Sequence, residues 1–509
     1  MQLFTSGKDF ICHSIVDERS AGYVALGMAR ELNEPVILLC TSGTAVLNLA
    51  PAVAEAWHQG LPLVVLTADR PRERFSSFDN QWLDQQEPYG PHVKEVLQWP
   101  AGFKKEKALG DMLDRAHRLL LDATGPHRGP VHMNLLLEEP LYDELPGAIG
   151  IFTPGHSPGT EPPGKKVESQ PEYPDPGEKI LILAGTGTYD PGLREALADL
   201  VKERKVVVVA ENLANMVHPD FIVLPELLLS IAGKEGMEAL VPDRIYAFGG
   251  QVVSKRLKLF LQSLPEVKYY RVNPGMEMDL VRNIKGKAGK GKGSWSVSWK
   301  SADKRALDVL DKNLGDLPFS NLHAVHRLLR SVPANTVLHL GNSAAVRYSQ
   351  LVPVRKDLRY LSNRGTSGID GCLSAAVGAA MVSRRCHLLL LGDLSFVYDS
   401  NALWNRDFPT NLKIVILNDR GGGIFRLLDG PSGMPFSEEF QVSYHPVSLE
   451  KLCAAFGLKC LEAGSEEELE EKMEFFFSRS SEPIVLEVDT SGSENSRIFK
   501  DFILNNETD

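Results

Sequence analysis

Apolar runs of about five or six residues alternate along this chain with stretches in which apolar residues recur every three or four positions. That alternation predicts parallel strands joined by crossover helices. In a first set, from Phe10 to about Tyr142, Phe10–Val16 predicts a strand, and the helix after it carries Ala21, Val24, Ala25, Met28, Ala29 and Leu32 on one face. Pro35–Cys40 predicts the next strand, Thr44–His58 a helix, Leu61–Ala68 a third strand and Pro130–Leu136 a later one. A second set runs from Ile180 to about Val281, with strands at Ile180–Ala184, Lys205–Val209 and Arg244–Phe248. A third begins near Asn321, with strands at Thr336–Leu340, Leu358–Leu361, His387–Leu391, Lys413–Leu417 and Pro483–Val488. Between the first two sets, Thr153–Glu178 holds seven prolines and few large apolar residues, so it reads as an exposed linker. The expected architecture is α/β: three doubly wound parallel-sheet domains over 1–152, 179–315 and 316–509, with 153–178 between the first and second.

Composition adds mainly exclusions. A length of 509 residues suits about three domains, and 43% hydrophobic with 24% charged residues is ordinary for a globular protein. A formal net charge of −11 argues against a nucleic-acid partner, and the glycine-lysine alternation of Lys285–Lys292 reads as a solvated loop. Six cysteines without CxxC spacing point to a reduced, cytoplasmic setting. No apolar run is long enough to span a membrane, and no export signal is recognised.

The chemistry concentrates at two strand ends in the third domain. The run before Gly392 ends in Asp393-Leu394-Ser395, and the run ending at Asn418 is followed by Asp419-Arg420-Gly421-Gly422-Gly423. The two acids are 26 residues apart, room for one crossover helix, so adjacent parallel strands would deliver both to one point. Ligands of open α/β sheets bind at those carboxyl ends. Magnesium takes oxygen ligands, usually one or two carboxylates together with substrate phosphates and water. Asp393, Asp419 and the Gly421 carbonyl supply such a set, and the glycines admit a phosphate close to backbone amides where a helix begins near Ile424. Either half alone is also an ordinary strand-ending turn; the pair at this spacing favours a metal-diphosphate site. In the first domain, Asp17-Glu18-Arg19 sits between an apolar run and a helix. Asp17 suits a helix cap and Glu18 its positive end. An acid placed there also suits the N1′ atom of an aminopyrimidine, the other half of a thiamine diphosphate site.

Asp17-Glu18-Arg19-Ser20-Ala21-Gly22, Cys40-Thr41-Ser42-Gly43-Thr44-Ala45, Thr67-Ala68-Asp69-Arg70-Pro71, Ser362-Asn363-Arg364-Gly365 and the two acid segments together resemble the MenD family of 2-succinyl-5-enolpyruvyl-6-hydroxy-3-cyclohexene-1-carboxylate synthases, over nearly the whole chain. Leu394-Ser395 after the first acid is similar to this family, where many other thiamine enzymes have glycine. The resemblance implies a thiamine diphosphate enzyme with magnesium, or manganese in its place. It would decarboxylate 2-oxoglutarate and add the succinyl-semialdehyde unit to isochorismate in menaquinone or phylloquinone synthesis. By matched position, Glu18 would pair with the pyrimidine and be the catalytic acid, and Asp393, Asp419 and Gly421 would bind the metal. Gly392, Ser395, Gly421, Gly422, Ile369 and Ile424 would contact the cofactor. Asn80, Gln81, Lys255, Arg256, Ser343, Arg347, Arg364 and Phe425 would meet the substrates, whose carboxylates suit the planar fork of arginine.

Two departures stand out. Many relatives carry asparagine where this chain has Asp419, so a negative charge is added beside the diphosphate. The family pattern also begins with a strand and a Pro-Gly-Ser-Arg type loop ahead of the acid motif, whereas Met1 lies 17 residues before Glu18, so part of a βα unit is expected to be missing and a sheet edge left open. Sites shared between subunits of a homodimer, or of a dimer of dimers, are further implied. The alternatives are a relative that binds cofactor or partner subunits without turnover, and a thiamine lyase with another acceptor.

Overall fold

The computed structural model describes residues 5, 10–71, 80–102, 105–125, 127–138, 174–175, 177–203, 205–287, 293–427, 430–478 and 483–504. Every strand pair in its three sheets is parallel. The first sheet comprises β1 (Val36–Cys40), β2 (Leu63–Asp69), β3 (Val96–Trp99) and β4 (Val131–Leu136), in the order β1-β2-β4-β3. The second has β5 (Ile180–Ala184), β6 (Val206–Ala210), β7 (Arg244–Phe248) and β8 (Lys268–Arg271), ordered β6-β5-β7-β8. The third has β9 (Val337–Leu340), β10 (Arg359–Leu361), β11 (His387–Gly392), β12 (Leu412–Asn418), β13 (Lys459–Ala463) and β14 (Ile484–Asp489), ordered β10-β9-β11-β12-β14-β13. Central strands such as β5, β7 and β11 are buried along nearly their whole length, as expected of parallel sheets covered on both faces.

Several expectations need correction. Phe10–Val16 is not a strand: 10–17 has no regular structure, and Phe10, Ile11 and Val16 are exposed. β1 is therefore an edge strand of its sheet, with Ile37 and Leu39 over a third exposed. The helix expected over Thr44–His58 is two helices, Thr44–Asn48 and Ala50–Gln59, separated at Leu49. Pro51 in the first turn of the second helix has no N–H to continue the earlier helix's ladder, which accounts for the break. Lys285–Lys287, expected in a loop, closes the helix Glu277–Lys287, while 288–292 lies outside the described residues. So does most of the proline-rich segment, from 153 to 173.

The first and third sheets are joined by the helices Glu18–Leu32 and Cys372–Met381, which cross through glycine. A Cβ on Gly27 would lie 2.0 Å from the Ala375 carbonyl oxygen, and one on Gly378 would lie 1.9 Å from that of Val24. Ser20 Oγ meets Ser374 Oγ at 3.0 Å in the same buried seam, and Asp399 accepts from the Ser374 amide and hydroxyl. Because the notch is bounded by backbone, it cannot yield as a side chain would. Gly378→Ala is expected to lower stability by at least about 1–3 kcal/mol, read as a drop in the urea midpoint; an unchanged midpoint would mean the helices can separate cheaply.

Candidate active site

The two acids reach one point because β11 and β12 are neighbours in register, with Leu391 opposite Ile416 and Gly392 opposite Leu417. Asp393 is buried and opens the helix Asp393–Tyr398. Its Oδ1 accepts from the Leu394 amide at 2.7 Å, and its Oδ2 accepts from the Gly421 amide at 2.8 Å, with His445 Nε2 3.1 Å away. The first strand end thus directly orders the glycine turn of the second. Asp419 folds over that turn: a Cβ on Gly423 would lie 1.8 Å from its Oδ2. Asn321 Nδ2 lies 3.5 Å from the same oxygen and is held by Thr490 Oγ1, which donates to Asn321 Oδ1 at 2.8 Å.

Burial pushes both carboxyls up to about 7, against backbone hydrogen bonds at Asp393 and with added repulsion from Asp393 at Asp419. Two desolvated acids that repel one another, Asp393 buried and Asp419 half-buried, are a donor set suited to a hard divalent cation, which would reverse that penalty. The residues present therefore fit magnesium held by Asp393, Asp419 and the Gly421 carbonyl. That carbonyl also accepts from the Gly423 amide at 3.0 Å, leaving a second lone pair. Gly421 and Gly422 are pressed against the segment 437–442. A Cβ on Gly421 would lie 2.7 Å from Val442 O, and the Gly422 amide donates to that oxygen at 2.5 Å. Gly422 can thus offer a diphosphate close approach but not its amide. The helix that follows, Ile424–Leu427, is a single turn, so the dipole expected to favour an anion is small, and the amides of Gly421, Gly422 and Gly423 are already engaged by Asp393, Val442 O and Gly421 O.

Behind this turn the remaining third-domain candidates converge. Ser395 is buried and donates to Ile369 O at 2.9 Å, tying the metal strand to the loop after β10. Ser343, with φ of 74°, caps the helix Ala344–Tyr348, and its carbonyl accepts from Arg347 Nη1 at 2.7 Å. Arg364 is buried and donates from Nη1 to Asn342 Oδ1 at 2.9 Å. Ile424 is buried; Phe425 is half-buried against the core. The second sheet contributes from its own strand ends. Glu211, after β6, accepts from the Val253 and Ser254 amides at 2.5 and 2.7 Å, fixing the start of the helix Lys255–Gln262. Lys255 is exposed, and Arg256 leans toward Glu226 at 4.0 Å.

The first domain's candidates lie at the start of the helix Glu18–Leu32 and on the segment after β2. Glu18 is half-buried in the first turn of Glu18–Leu32, close enough to Cys40 at the end of β1 that its charge adds to burial in raising the thiol. Asp17 caps the helix through the Ser20 amide at 2.7 Å and accepts from Asn401 Nδ2 at 2.6 Å. Arg19 donates to Tyr398 O at 2.9 Å and lies over its ring. Among the described residues no hydrogen bond or ion pair joins Glu18 to Asp393 or Asp419. Gln81, with φ of 57°, donates to Ser42 O at 3.2 Å and holds the Gly43 turn; Asn80 is exposed and accepts from Arg70 at its carbonyl. Under that turn, Gln85 Oε1 accepts from the Gly43 amide while its Nε2 donates to Asn134 Oδ1.

Comparison with known proteins agrees with the division of labour between first and third domains. A family described as thiamine pyrophosphate enzyme, N-terminal TPP binding domain, matches residues 3–88, and the corresponding C-terminal TPP binding domain matches residues 341–488. A 2-succinyl-5-enolpyruvyl-6-hydroxy-3-cyclohexene-1-carboxylate synthase of Desulfotalea psychrophila is 37% identical over 504 residues, covering 96% of this chain and 92% of the relative. Synthases of the same name from Christiangramia forsetii and Porphyromonas gingivalis are 32% and 33% identical, each across 98% of this chain and 92% and 91% of the relatives. The chain belongs to this synthase family.

For a member of the synthase family, the structure adds residues that sequence reasoning missed. His445 and Asn321 contact the acids, yet each comes from a segment with no motif signal. Glu55 is fully buried in the helix Ala50–Gln59 and reaches across to the third domain. It accepts from the Gly365 amide at 2.7 Å and from the Thr366 amide and hydroxyl at 2.6 Å each, holding the turn that carries Arg364. An acid at that helical position reads as a solvated face residue, so only the fold reveals it. Glu55→Ala strands these three donors and the Gln59 side-chain amide, and is expected to cost about 2–4 kcal/mol in chemical denaturation, with a raised KM. A stability loss smaller than about 1 kcal/mol would show that water replaces the carboxylate freely.

Proposed function

We propose that this protein catalyses the thiamine diphosphate-dependent decarboxylation of 2-oxoglutarate and addition of the resulting four-carbon unit to isochorismate, a step of menaquinone synthesis. The observation that carries the reading is the pair of acids, Asp393 buried and Asp419 half-buried, at the adjacent ends of β11 and β12, in a chain that belongs to the synthase family along nearly its whole length. Asp393, Asp419 and the Gly421 carbonyl would hold magnesium, and the turn 421–423 would meet the diphosphate. When bound, the cofactor supplies the carbanion chemistry that joins the two substrates. Glu18 would hold the proton exchanged with the pyrimidine N1′ atom. Ser395 supports Ile369, which would border the cofactor. Arg347 and Arg364 would orient substrate carboxylates, and the burial of Arg364 beside the half-buried Arg347 limits water that would weaken that grip.

Each site would be shared between two copies of the chain. Exposed Phe436, Phe440 and Tyr444 flank the segment that holds the glycine turn, and contact with another subunit would cover them. The six cysteines are all free, which suits a cytoplasmic protein, and among the described residues no helix is long and apolar enough to cross a membrane. The test is consumption of 2-oxoglutarate in the presence of isochorismate, with and without thiamine diphosphate and magnesium. Turnover requiring all four supports the reading; turnover with pyruvate but not 2-oxoglutarate, or cofactor binding without turnover, would replace it.

A further inference from the structure

We infer that Lys258, three residues beyond Lys255 on the helix Lys255–Gln262, is a substrate-carboxylate binding residue that completes a three-cation pocket with Arg347 and Arg364. This rests on the reading of the two arginines as substrate contacts and extends it to a residue on the middle sheet.

The placement follows from two clamps between the second and third domains and one within the second. Asn212, next to Glu211, donates to Ser349 O at 3.2 Å and Ser349 Oγ at 3.0 Å, and its side-chain oxygen is bonded by Gln350. These contacts fix the end of β6 to the residues just after Arg347. Gln251 Nε2 donates to Gly365 O at 3.2 Å, fixing the loop after β7 to the residue just after Arg364. Glu211 then bridges the two, since its carboxylate takes the Val253 and Ser254 amides that start the lysine helix. Glu226 adds a second anchor by accepting from Ser254 Oγ at 2.6 Å and the Arg256 amide at 3.1 Å. Leu257 and Phe260 face the core, so the helix cannot rotate freely, and Lys258 is left half-buried on the face it shares with Lys255.

The charges there are incompletely answered. Burial and then Arg364 and Arg347 hold Lys258 below its ordinary range, while Glu211 and Glu226 pull the other way, so all five groups share one field. Arg347 is likewise lowered by burial and then by Arg364. Arg364 is 8% exposed, and its Nε has no hydrogen-bond partner. Glu211 and Glu226 have carboxylate oxygens engaged by backbone amides and a serine hydroxyl. A buried guanidinium with an unused donor, beside a second arginine and a lysine, calls for a carboxylate ligand. Both 2-oxoglutarate and isochorismate carry two carboxylates, so the shared chemistry is a carboxylate and the experiment separates the sources.

Lys258→Met keeps the stem and removes the charge; Lys258→Arg restores it. With the whole protein and saturating cofactor and magnesium, Lys258→Met is expected to raise KM for one substrate about tenfold or more, with kcat within about threefold and most of the loss recovered by arginine. The substrate whose KM moves is the one that the lysine reads. Equal KM values for both substrates overturn the assignment, as does a joint fall in kcat and affinity that arginine does not rescue. Calorimetric binding of each substrate to the unaltered protein and Lys258→Met accompanies the kinetics. Weaker binding without any turnover would count against the reaction but support the pocket; equal binding would overturn the pocket whatever the turnover.

Discussion

Glu18→Gln is expected to lower kcat by about 10²–10⁴-fold, the range contributed by a positioned proton-transfer group, while cofactor affinity stays within about tenfold. Glutamine preserves shape but cannot hold or release the proton at N1′. The neighbourhood makes the variant informative. Asp17 still caps the helix through Ser20, and Arg19 remains fixed on Tyr398, so the first turn does not depend on the Glu18 carboxylate. The direct measurement is exchange of the thiazolium C2 proton with deuterium on the protein, followed by NMR. Exchange slowed in proportion to kcat places Glu18 in that step. Exchange and kcat both unchanged would mean another group supplies the proton.

Removing Asp393 should act on binding instead. Asp393→Ala deletes a carboxylate proposed to hold the metal and simultaneously releases the Leu394 and Gly421 amides and His445 from it. The loss of a charged partner worth about 3 kcal/mol predicts roughly a 100-fold weaker affinity for thiamine diphosphate in magnesium, and activity at low cofactor should vanish. Titration by tryptophan fluorescence or calorimetry, with magnesium present and then chelated, checks this. Chelation should weaken the unaltered protein strongly and the variant little; an equal response in both would remove Asp393 from the metal site. Mixing Asp393→Ala with Glu18→Gln adds a test of architecture. If each site takes its acid from one copy and its metal from another, random exchange restores about a quarter of the sites, and sites contained within one chain restore none.

The strands legible from sequence were those buried on both faces. β5 and β7 begin and end where their apolar runs do, and β6, β11 and β12 differ by one residue or so, because a covered parallel strand must be apolar throughout. The three overlooked strands, β3, β8 and β13, are all at sheet edges. β8 reads Lys268-Tyr269-Tyr270-Arg271 with only Tyr270 other than exposed, so its pairing leaves no hydrophobic signature. Phe10–Val16 failed in the opposite direction, being apolar enough for a strand but joined to no sheet. The same contrast runs through the site. Asp393 and Asp419 were readable since a carboxylate ending a buried run is conspicuous. Glu55, Lys258 and His445 were not, because each acts on a partner far along the chain and looks locally like any polar surface residue.

The glycine crossing of helices 18–32 and 372–381 sets a mechanical condition on turnover. A helix rises about 1.5 Å per residue, so sliding either helix by one position would drive a Cβ into the carbonyl now seated at Gly27 or Gly378. The joint behaves as a keyed shaft, fixed in both depth and angle. The first and third sheets of one chain therefore travel as a single casting. Admission of a 2-oxo acid and departure of a bulky product fall to a part that is not keyed, the segment 437–445 over the glycine turn.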